Sequence, residues 1–349
     1  MKIALIGGRD YQQFPTLSYG GVETCVENLA WGLYKENESF VCIVPKRTVI
    51  KEYPFEIIES SSPPVPGPVD EIWKFASTLP DLVKSVRPDV IWSQSFWSAQ
   101  VLQTLGIPII CTWHCFVPKG KKPNENWMKN RENTWYRFIS NYQMKQWVYN
   151  QTLSEKSFMV HTGVADEEYE CDTEKEDYFL WVGGLGWGMH PKGLDTFIRL
   201  SKKQRNHRFV AYGTGNAKIE EYLKKLSIKS DNFEYKGALN RGPEHRHAFK
   251  KAKAFLMLTN IPEPLGRTNF ESMTKGTPVI STCNGALPEI VENKISGMLC
   301  KNFKEIESAL SISFDYKKVF DYSQKFHVRN EIQLLKKYSA NIIGGKTFK

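Results

Sequence analysis

The chain has 349 residues, of which 41% are hydrophobic, and its net charge at neutral pH is +9. This length exceeds one ordinary hydrophobic core and suits two domains. The positive charge favours anionic partners such as nucleotide phosphates, anionic lipid head groups or nucleic acid, and a solvated basic face explains it equally well.

Seven cysteines are scattered along the chain without a Cys-x-x-Cys pair. Neither a disulfide framework nor a zinc site is therefore indicated, and reduced, mostly buried thiols are typical of a cytoplasmic protein. The first residues, MKIALIGG, form an apolar run too short for a secretory signal. No run approaches the roughly 20 apolar residues of a membrane span. A cytoplasmic protein is expected.

Strand and helix patterns alternate through the first half of the chain. The run KIALIG (2–7) predicts a strand, and a helix is predicted after Gly20 and Gly21, where apolar residues recur at helical spacing. A second helix is predicted at 69–86. Further strands are predicted at 40–46, 55–60, 89–95, 107–116 and 158–164. This alternation implies right-handed βαβ units around a parallel sheet.

One segment of the first half, 117–153, differs from the rest. It is basic and rich in aromatic residues, and it has no clean periodicity before about residue 134. Aromatic rings stack on sugars, and together with lysines they suit an anionic membrane surface. Trp127, Lys121 and Lys122 are therefore candidate acceptor-binding residues. The alternative is an ordinary basic helix with its aromatic side chains in the core.

An acidic run, DEEYECDTEKED (166–177), predicts a linker between two domains. We expect domains at 1–165 and 166–330, and a final helix at 331–349 that is a candidate to cross back to the first domain. Strands and helices alternate again in the second half, which also opens with a strand and a glycine-rich turn (178–188). The fold class is therefore predicted to be α/β, with two Rossmann-like, doubly wound domains facing each other across a cleft.

The stretch 259–285 combines carboxylates with a predicted helix start. Glu263 lies in a loop, and Glu271 lies eight residues later in the first turn of the helix. The spacing of Thr268 and Glu271 is that of a capping box, which predicts Thr268 as the N-cap.

The backbone N–H groups of Gly266, Arg267 and Thr268 would then form an anion site at the positive end of that helix. Gly276 is placed to end the helix. Carboxylates beside an anion site suit a ligand that has both hydroxyls and phosphates.

The glycine turns lack the common nucleotide-binding patterns. The spacing Gly-x-Gly-x-x-Gly fails at 183–188 and at Gly213, and there is no P-loop. Lys192 follows a glycine loop and is either a phosphate ligand or a surface lysine. His114 ends an apolar strand, where it either points into a ligand crevice or is a core histidine. Three other histidines are expected at the surface: His190, His245 and His247.

These residues resemble a known family. The run EPLGRTNFESMTKGTPVIST resembles the glutamate segment of retaining, nucleotide-sugar-dependent glycosyltransferases of family four, which have the two-domain GT-B fold. Weaker similarities follow in the expected order over most of the chain, at GGVETCVENLAWGL, TWHCF, FISNYQMKQ, VHTGV, WVGGL, PKGLDTFI, YGTGN and NGALPEIV. The resemblance implies a metal-independent hexosyltransferase of polysaccharide or glycan assembly. It implies no cofactor, and a UDP- or GDP-sugar as co-substrate.

The resemblance also implies roles for single residues. Glu263 would bond the hydroxyls of the donor sugar, His114 would lie near the transferred sugar, and Lys192 would neutralise the diphosphate. Glu271 would hold the ribose hydroxyls. The other donor-binding positions that it implies are Gly266, Arg267, Thr268, Gly20, Gly21, Gly184 and Gly213.

One departure from the family concerns charge. Gly184 stands where the family has an arginine, so one cation for the diphosphate is missing. Arg267 stands where the family usually has an apolar residue, and we hypothesise that it supplies this charge.

The expected partners are a nucleotide-sugar donor and a glycan or lipid-linked acceptor. Peripheral contact with a membrane surface is a further option. No nucleic acid is expected as a partner. Three alternatives stay open. The positive charge suggests a glycosyltransferase that modifies nucleic acid. Gly184 suggests a non-catalytic protein that binds nucleotide sugars. The fold would also suit an epimerase.

Overall fold

The computed structural model describes residues 1–7, 14–15, 20–47, 51–61, 69–115, 132–148, 151–186 and 188–345, without the side chains of 69–73 and 151–152. The chain divides into two compact units. Unit 1 consists of Met1–Asp166 and Phe326–Lys349, and unit 2 consists of Glu167–Lys325. Residues 326–330, which the sequence interpretation groups with the second domain, therefore belong to unit 1.

Unit 1 is built on a parallel sheet. Its seven described strands are β1 (Lys2–Ile6), β2 (Ser39–Val44), β3 (Ile57–Glu59), β4 (Val90–Ser93), β5 (Ile109–Trp113), β6 (Thr134–Phe138) and β7 (Ser157–Met159). Their order is β3-β2-β1-β4-β5-β6-β7, and all neighbours pair in parallel. The direction of winding reverses between β1 and β4, as in a doubly wound sheet.

The described helices of unit 1 include one from the end of the chain. They are α1 (Gly21–Lys35), α2 (Val69–Val86), α3 (Phe96–Leu102), α4 (Asn141–Trp147), α5 (Gln151–Glu155) and α13 (Val328–Ile343). Helix α13 packs against α1 so closely that a Cβ atom on Gly32 would lie 2.5 Å from Cδ1 of Ile332. Ile332 and Leu335 share a buried cluster with Leu29 and Ile3. Apolar packing therefore makes the end of the chain part of the unit 1 core.

Unit 2 repeats the same design with six described strands. They are β8 (Tyr178–Val182), β9 (Arg208–Tyr212), β10 (Phe233–Tyr235), β11 (Ala254–Met257), β12 (Val279–Thr282) and β13 (Gly297–Cys300), in the order β10-β9-β8-β11-β12-β13. Its described helices are α6 (Leu194–Lys203), α7 (Ala217–Lys229), α8 (Pro243–Lys251), α9 (Arg267–Met273), α10 (Leu287–Ile290), α11 (Phe303–Ala309) and α12 (Tyr316–Ser323). All its strands pair in parallel. The predicted fold class of two doubly wound α/β domains is confirmed.

The start of α6 is fixed by a close backbone approach. Gly193, its N-cap, has φ 72°, and a Cβ atom there would lie 1.9 Å from the carbonyl oxygen of Leu258. Only glycine fits this position, because the conformation is left-handed and no space remains for a side chain. Lys192 is thereby held beside the loop that follows β11.

The strand β6 is missing from the sequence prediction. It lies inside the basic aromatic segment, and Arg137, its fourth residue, interrupts the apolar pattern expected of a buried strand. The side chain of Arg137 is nevertheless fully buried, because Glu331 of α13 pairs with it at 2.6 Å.

In the described part of the chain, no helix is both long and apolar enough to span a bilayer.

Candidate functional site

Glu263 and Lys192 form an ion pair at the carboxyl ends of the unit 2 strands. Glu263 lies in the loop after β11 and is 5% exposed, and Lys192 precedes α6 with a side chain that is 30% exposed. The indole Nε1 of Trp181 donates to the carbonyl of Lys192 at 2.9 Å. The two residues that the resemblance implies for donor sugar and diphosphate therefore contact each other.

The loop that carries Glu263 is held on both sides. Asn260 N–H and Thr259 Oγ1 each lie 3.0 Å from the carbonyl of Pro191, which ties the loop to the Lys192 segment. The N–H of Ala286 donates to the carbonyl of Glu263 at 2.8 Å, and a Cβ atom on Gly285 would lie 2.2 Å from that oxygen. These contacts make the position of the Glu263 backbone a property of the fold.

Glu271 lies in α9 and is surrounded by three basic side chains. Its Oε2 lies 3.3 Å from Nε2 of His245, and its Oε1 lies 3.4 Å from both Nη1 of Arg241 and Nε of Arg267. Arg241 also pairs with Glu168.

The pKa of Glu271 reflects this surrounding. Burial alone would raise the pKa, but the hydrogen bond and charge of His245 and the charges of Arg267 and Arg241 hold it well below its ordinary value of 4.5. Glu271 is therefore an ionised hydrogen-bond acceptor at neutral pH.

Two buried polar side chains near the start of α9 have no hydrogen-bond partner in the part of the chain that the structure describes. The side chain of Arg267 is 11% exposed, and none of its three nitrogens has a hydrogen-bond partner among the described residues. The same holds for both polar atoms of Asn269, which is fully buried. Buried donors without acceptors lower the free energy of unfolding by about 1–3 kcal/mol each, so their presence in a native fold needs an explanation such as a ligand.

The predicted capping box is wrong. The N-cap of α9 is Gly266, with φ 82°, and Thr268 is the second residue of the helix. Thr268 Oγ1 lies 3.9 Å from Sδ of Met257, and the carboxylate of Glu271 is engaged by the basic cluster. Glycine suits this cap because its backbone is left-handed, and a Cβ atom there would also lie 2.7 Å from Nδ2 of Asn269. Gly276 has φ 74° in the turn after the helix, as its predicted place requires.

Gly213 and Gly184 lie in the loops that follow neighbouring strands of the unit 2 sheet. A Cβ atom on Gly213 would lie 2.3 Å from the carbonyl oxygen of Gly183, and the hydroxyl of Tyr235 donates to the carbonyl of Gly213 at 2.6 Å. Gly213 therefore brings the two loops together. Gly184, in the loop after β8, is partly exposed and supplies no side chain.

Unit 1 positions a second group of the candidate residues. Gly20 is the N-cap of α1, and the side chain of Thr24 donates to its carbonyl at 2.8 Å. A Cβ atom on Gly21 would meet nothing within 4 Å. His114 follows β5 and is half-buried, and its Nε2 lies 3.0 Å from Oε1 of Gln94, which follows β4.

The structure thus brings some of the candidate residues into contact, and the roles of the others stay predictions. Glu263 contacts Lys192, and Glu271 contacts Arg267. The three proposed acceptor residues lie outside the described residues: Trp127, Lys121 and Lys122.

Sequence reasoning missed several polar residues of these clusters. His245, expected at the surface, is 8% exposed, although the positions of Ala248 and Phe249 three and four residues later indicate that it shares their buried face. His190 and His247 are exposed as expected, with side chains 76% and 62% exposed. Gln94 could have been found by the argument applied to His114, since both follow apolar strands. Arg241 and Glu168 carry no local signal.

Two family models match the chain. The model of glycosyl transferases group 1 matches residues 171–314, and the model of glycosyltransferase family 4 matches residues 19–153. The first includes the Glu263 and Glu271 clusters, and the second includes Gly20, Gly21 and His114.

Individual relatives carry names of the same enzyme class. The chain is 22% identical over 334 residues to the α-monoglucosyldiacylglycerol synthase of Streptococcus pneumoniae, a match that covers 85% of this chain and 75% of that protein. It is 28% identical over 130 residues to MJ1607 of Methanocaldococcus jannaschii, an uncharacterized glycosyltransferase. That match covers 36% of this chain and spans about a third (32%) of the relative's length.

The fold is similar to that of HepE from Anabaena, solved in complex with UDP and glucose. The TM-score is 0.68 at 16% identity, and the alignment covers 97% of this chain and all of that chain.

Proposed function

We propose, from the premise that the chain belongs to the GT-B glycosyltransferases of group 1 and family 4, that it transfers a hexose from a nucleoside-diphosphate sugar to a hydroxyl acceptor. The observation that carries the proposal is that the stretch after β11 holds both Glu263, which pairs with Lys192, and the ionised Glu271. Carboxylates accept hydrogen bonds from sugar hydroxyls, and the lysine offers a charge to phosphate.

The two glutamates would bind different parts of the donor. Glu271, kept ionised by its basic neighbours, would accept hydrogen bonds from the ribose hydroxyls. Glu263 would bind hydroxyls of the hexose and exchange its contact with Lys192 for contacts with the ligand. His114 would lie near the transferred sugar, as the family resemblance implies. The backbone at Gly266 and Thr268 would meet the diphosphate. Gly213, Gly20 and Gly21 would leave space for the phosphates to approach the backbone.

The chemical difficulty of the reaction is the negative charge that builds on the leaving diphosphate. A positioned cation lowers the barrier only if it binds the transition state more strongly than the ground state. Lys192 would stabilise the leaving group in this way, and Arg267 would add the charge that Gly184 does not supply. The sequence has no Asp-x-Asp metal-binding motif, and these two cations provide the positive charge of the proposed step. Retention at the anomeric carbon is proposed from the family resemblance.

We also propose which nucleotide sugar is the donor and which class of molecule is the acceptor. The neighbouring structure solved with UDP and glucose supports a UDP-sugar, and a GDP-sugar is the second choice. The pneumococcal relative is named for a glucosyl diacylglycerol, which supports a lipid-linked acceptor, with a soluble glycan as the second choice. A cytoplasmic protein that contacts a membrane surface peripherally fits this acceptor and the positive charge of the chain.

A thermal-shift panel with UDP-, GDP-, dTDP- and ADP-sugars tests the proposal. A ligand at about 100 times its Kd stabilises its binding unit by roughly 2.7 kcal/mol. For a unit of this size we expect a rise in Tm of roughly 5–10 °C. Release of nucleoside diphosphate in the presence of acceptor would separate a transferase from a protein that only binds, and epimerised donor would indicate an epimerase.

Two variants match each other as probe and control. Lys192→Gln removes the charge and keeps a polar partner for Glu263, and we expect it to lose most of the shift. Lys203→Ala removes a lysine that is 59% exposed and pairs with Glu307 on the surface, and we expect it to behave as wild type. Absence of a shift with every nucleotide sugar would contradict the proposed function.

A further inference from the structure

Gln94 lies at the place in unit 1 where a doubly wound sheet binds its ligands. The sheet order reverses between β1 and β4, and ligands of such sheets bind outside the carboxyl ends of the strands at this reversal. Gln94 directly follows β4, and its backbone N–H donates to the carbonyl of Ile6, the last residue of β1, at 3.1 Å. The backbone of Gln94 therefore bridges the two strands that define the crevice.

The side chain of Gln94 is buried, and among the described residues only one of its two polar atoms has a hydrogen-bond partner. The residue is 3% exposed, and its Oε1 lies 3.0 Å from Nε2 of His114. Its Nε2 has no hydrogen-bond partner among the described residues. If the amide is turned the other way, the oxygen instead of the nitrogen is left unused. In either orientation, one end of this buried amide lacks a partner among the described residues, which disfavours folding unless another group or a ligand binds it.

Nearby polar groups are satisfied within the loop. The hydroxyl of Ser93 donates to the carbonyl of Ser95 at 2.8 Å, and the N–H of Ser95 lies 3.4 Å from the same hydroxyl. The unused group at the end of β4 is therefore the Gln94 amide.

We propose that Gln94 is a sugar-binding residue of unit 1, which orients His114 and bonds with its unused amide end to a hydroxyl of the hexose that His114 approaches. This inference rests on the proposed glycosyl transfer. The ligand class follows from the chemistry of the pair: an amide has no charge, and both it and an imidazole can donate and accept hydrogen bonds, as a sugar hydroxyl does.

The test compares Gln94→Met with wild type. Methionine has nearly the same length and removes both the unpaired amide nitrogen and the hydrogen bond to His114, so the variant should fold with a Tm close to that of wild type. The probes are UDP-glucose, GDP-mannose and ADP-glucose, each measured beside its own nucleoside diphosphate by calorimetry. The quantity of interest is the ratio of the two affinities, because this ratio isolates the contribution of the sugar. We expect the ratio to fall roughly three- to tenfold, the effect of one lost hydrogen bond.

A control variant removes another buried, unpaired polar atom from the same unit. Thr134 is 1% exposed, lies at the amino end of β6, and its hydroxyl has no partner among the described residues. Thr134→Val should raise or preserve Tm and leave the affinity ratio of wild type unchanged.

Each outcome decides the inference. A Gln94→Met protein that has a Tm close to that of wild type and an unchanged affinity ratio would mean that Gln94 only fills space, and the inference is overturned while the proposed function stands. A wild-type protein that binds all three diphosphates as tightly as their sugars removes the premise that unit 1 binds the hexose, and overturns the inference as well. A reduced ratio in Gln94→Met alone supports it.

Discussion

Each unit of this protein buries one glutamate beside an arginine, and the two pairs are built differently. In unit 1, Oε1 of Glu331 lies 2.6 Å from Nη2 of Arg137, and Oε2 accepts from the N–H of Gly163 at 2.5 Å. Arg137 also donates from Nε and Nη2 to the carbonyls of Val160 and His161. These contacts join α13 to β6 and to the chain after β7.

In unit 2, Glu271 has its basic neighbours at 3.3–3.4 Å, and all three nitrogens of Arg267 lack hydrogen bonds among the described residues. Among those residues, Arg137 has one such nitrogen, Nη1, and Oε1 of Glu331 has its ion pair with Nη2 but no hydrogen bond. A pair that uses most of its hydrogen-bonding capacity on the chain stabilises the fold. A looser cluster with unused donors retains capacity for a ligand. This difference predicts that substitutions in the first pair affect stability and those in the second affect donor binding.

The largest effect is expected from Glu331→Ala. The substitution leaves Arg137 fully buried without its counter-charge, and breaking a buried pair in this way typically lowers the free energy of unfolding by about 3–5 kcal/mol. Urea denaturation should show this loss in the transition of unit 1. Arg329→Ala breaks a surface pair with Glu36, in which the arginine side chain is 57% exposed, and serves as a control expected to lose less than about 1 kcal/mol. Equal losses in the two variants would contradict a structural role for Glu331.

Glu271→Gln should show a smaller effect that depends on pH. A carboxylate with a lowered pKa contributes stability above its ordinary pKa of 4.5, and this contribution is lost as the pH falls toward the lower folded value. At neutral pH we expect the variant to lose about 1.5–3 kcal/mol, the range for hydrogen bonds to charged groups. The difference from wild type in the urea midpoint should shrink as the pH falls below about 4.5.

A second carboxylate serves as the control for the general effect of low pH on stability. Glu221 also has a lowered pKa, caused by its hydrogen bond to Lys225, but its side chain is 67% exposed. Because solvent screens this exposed pair, Glu221→Gln should stay close to wild type at every pH. A Glu271→Gln difference that stays constant between neutral pH and about pH 4 would show that the carboxylate charge contributes nothing to the cluster.

Arg267→Ala is expected to have the smallest effect on free energy and to act on the donor. Loss of one cation from the diphosphate site should raise the donor KM or lower kcat by about an order of magnitude, which corresponds to about 1.4 kcal/mol. Binding of the free nucleoside should not change, because it has no phosphate. Arg246→Ala, at an exposed position of α8, is the control. Donor kinetics and diphosphate affinity equal to those of wild type would rule out the proposed role of Arg267.

Much of the fold was predictable because its signals are local. The bounds of α2 and α6 agree with the apolar periodicity of 69–86 and 194–203. The buried parallel strands appear as short apolar runs, such as β1 and β11. The strand β6 was not predictable in this way, because Arg137 is charged and its partner Glu331 is 194 residues away in the chain.

The two glutamates of the candidate site could be predicted from the sequence, whereas the residues that surround them could be predicted less well. The spacing of Glu263 and Glu271 and the loop position of Lys192 can be read from the sequence. The cap of α9 is Gly266 instead of Thr268 because the backbone there is left-handed, which the capping pattern of the sequence does not indicate. The unused amide of Gln94 becomes visible only when β4 and β5 lie side by side.

The sequence alone determined the alternation of strands and helices, the fold class, and which polar residues follow the strands, because these depend on periodicity over a few residues. Tertiary structure decided which charges meet. Arg241 reaches Glu271 across 30 residues, and Gly163 reaches Glu331 across 168. The physical reason is that burial makes an unpaired charge unfavourable, so partners are selected by packing and desolvation in three dimensions, for which the chain carries no local pattern.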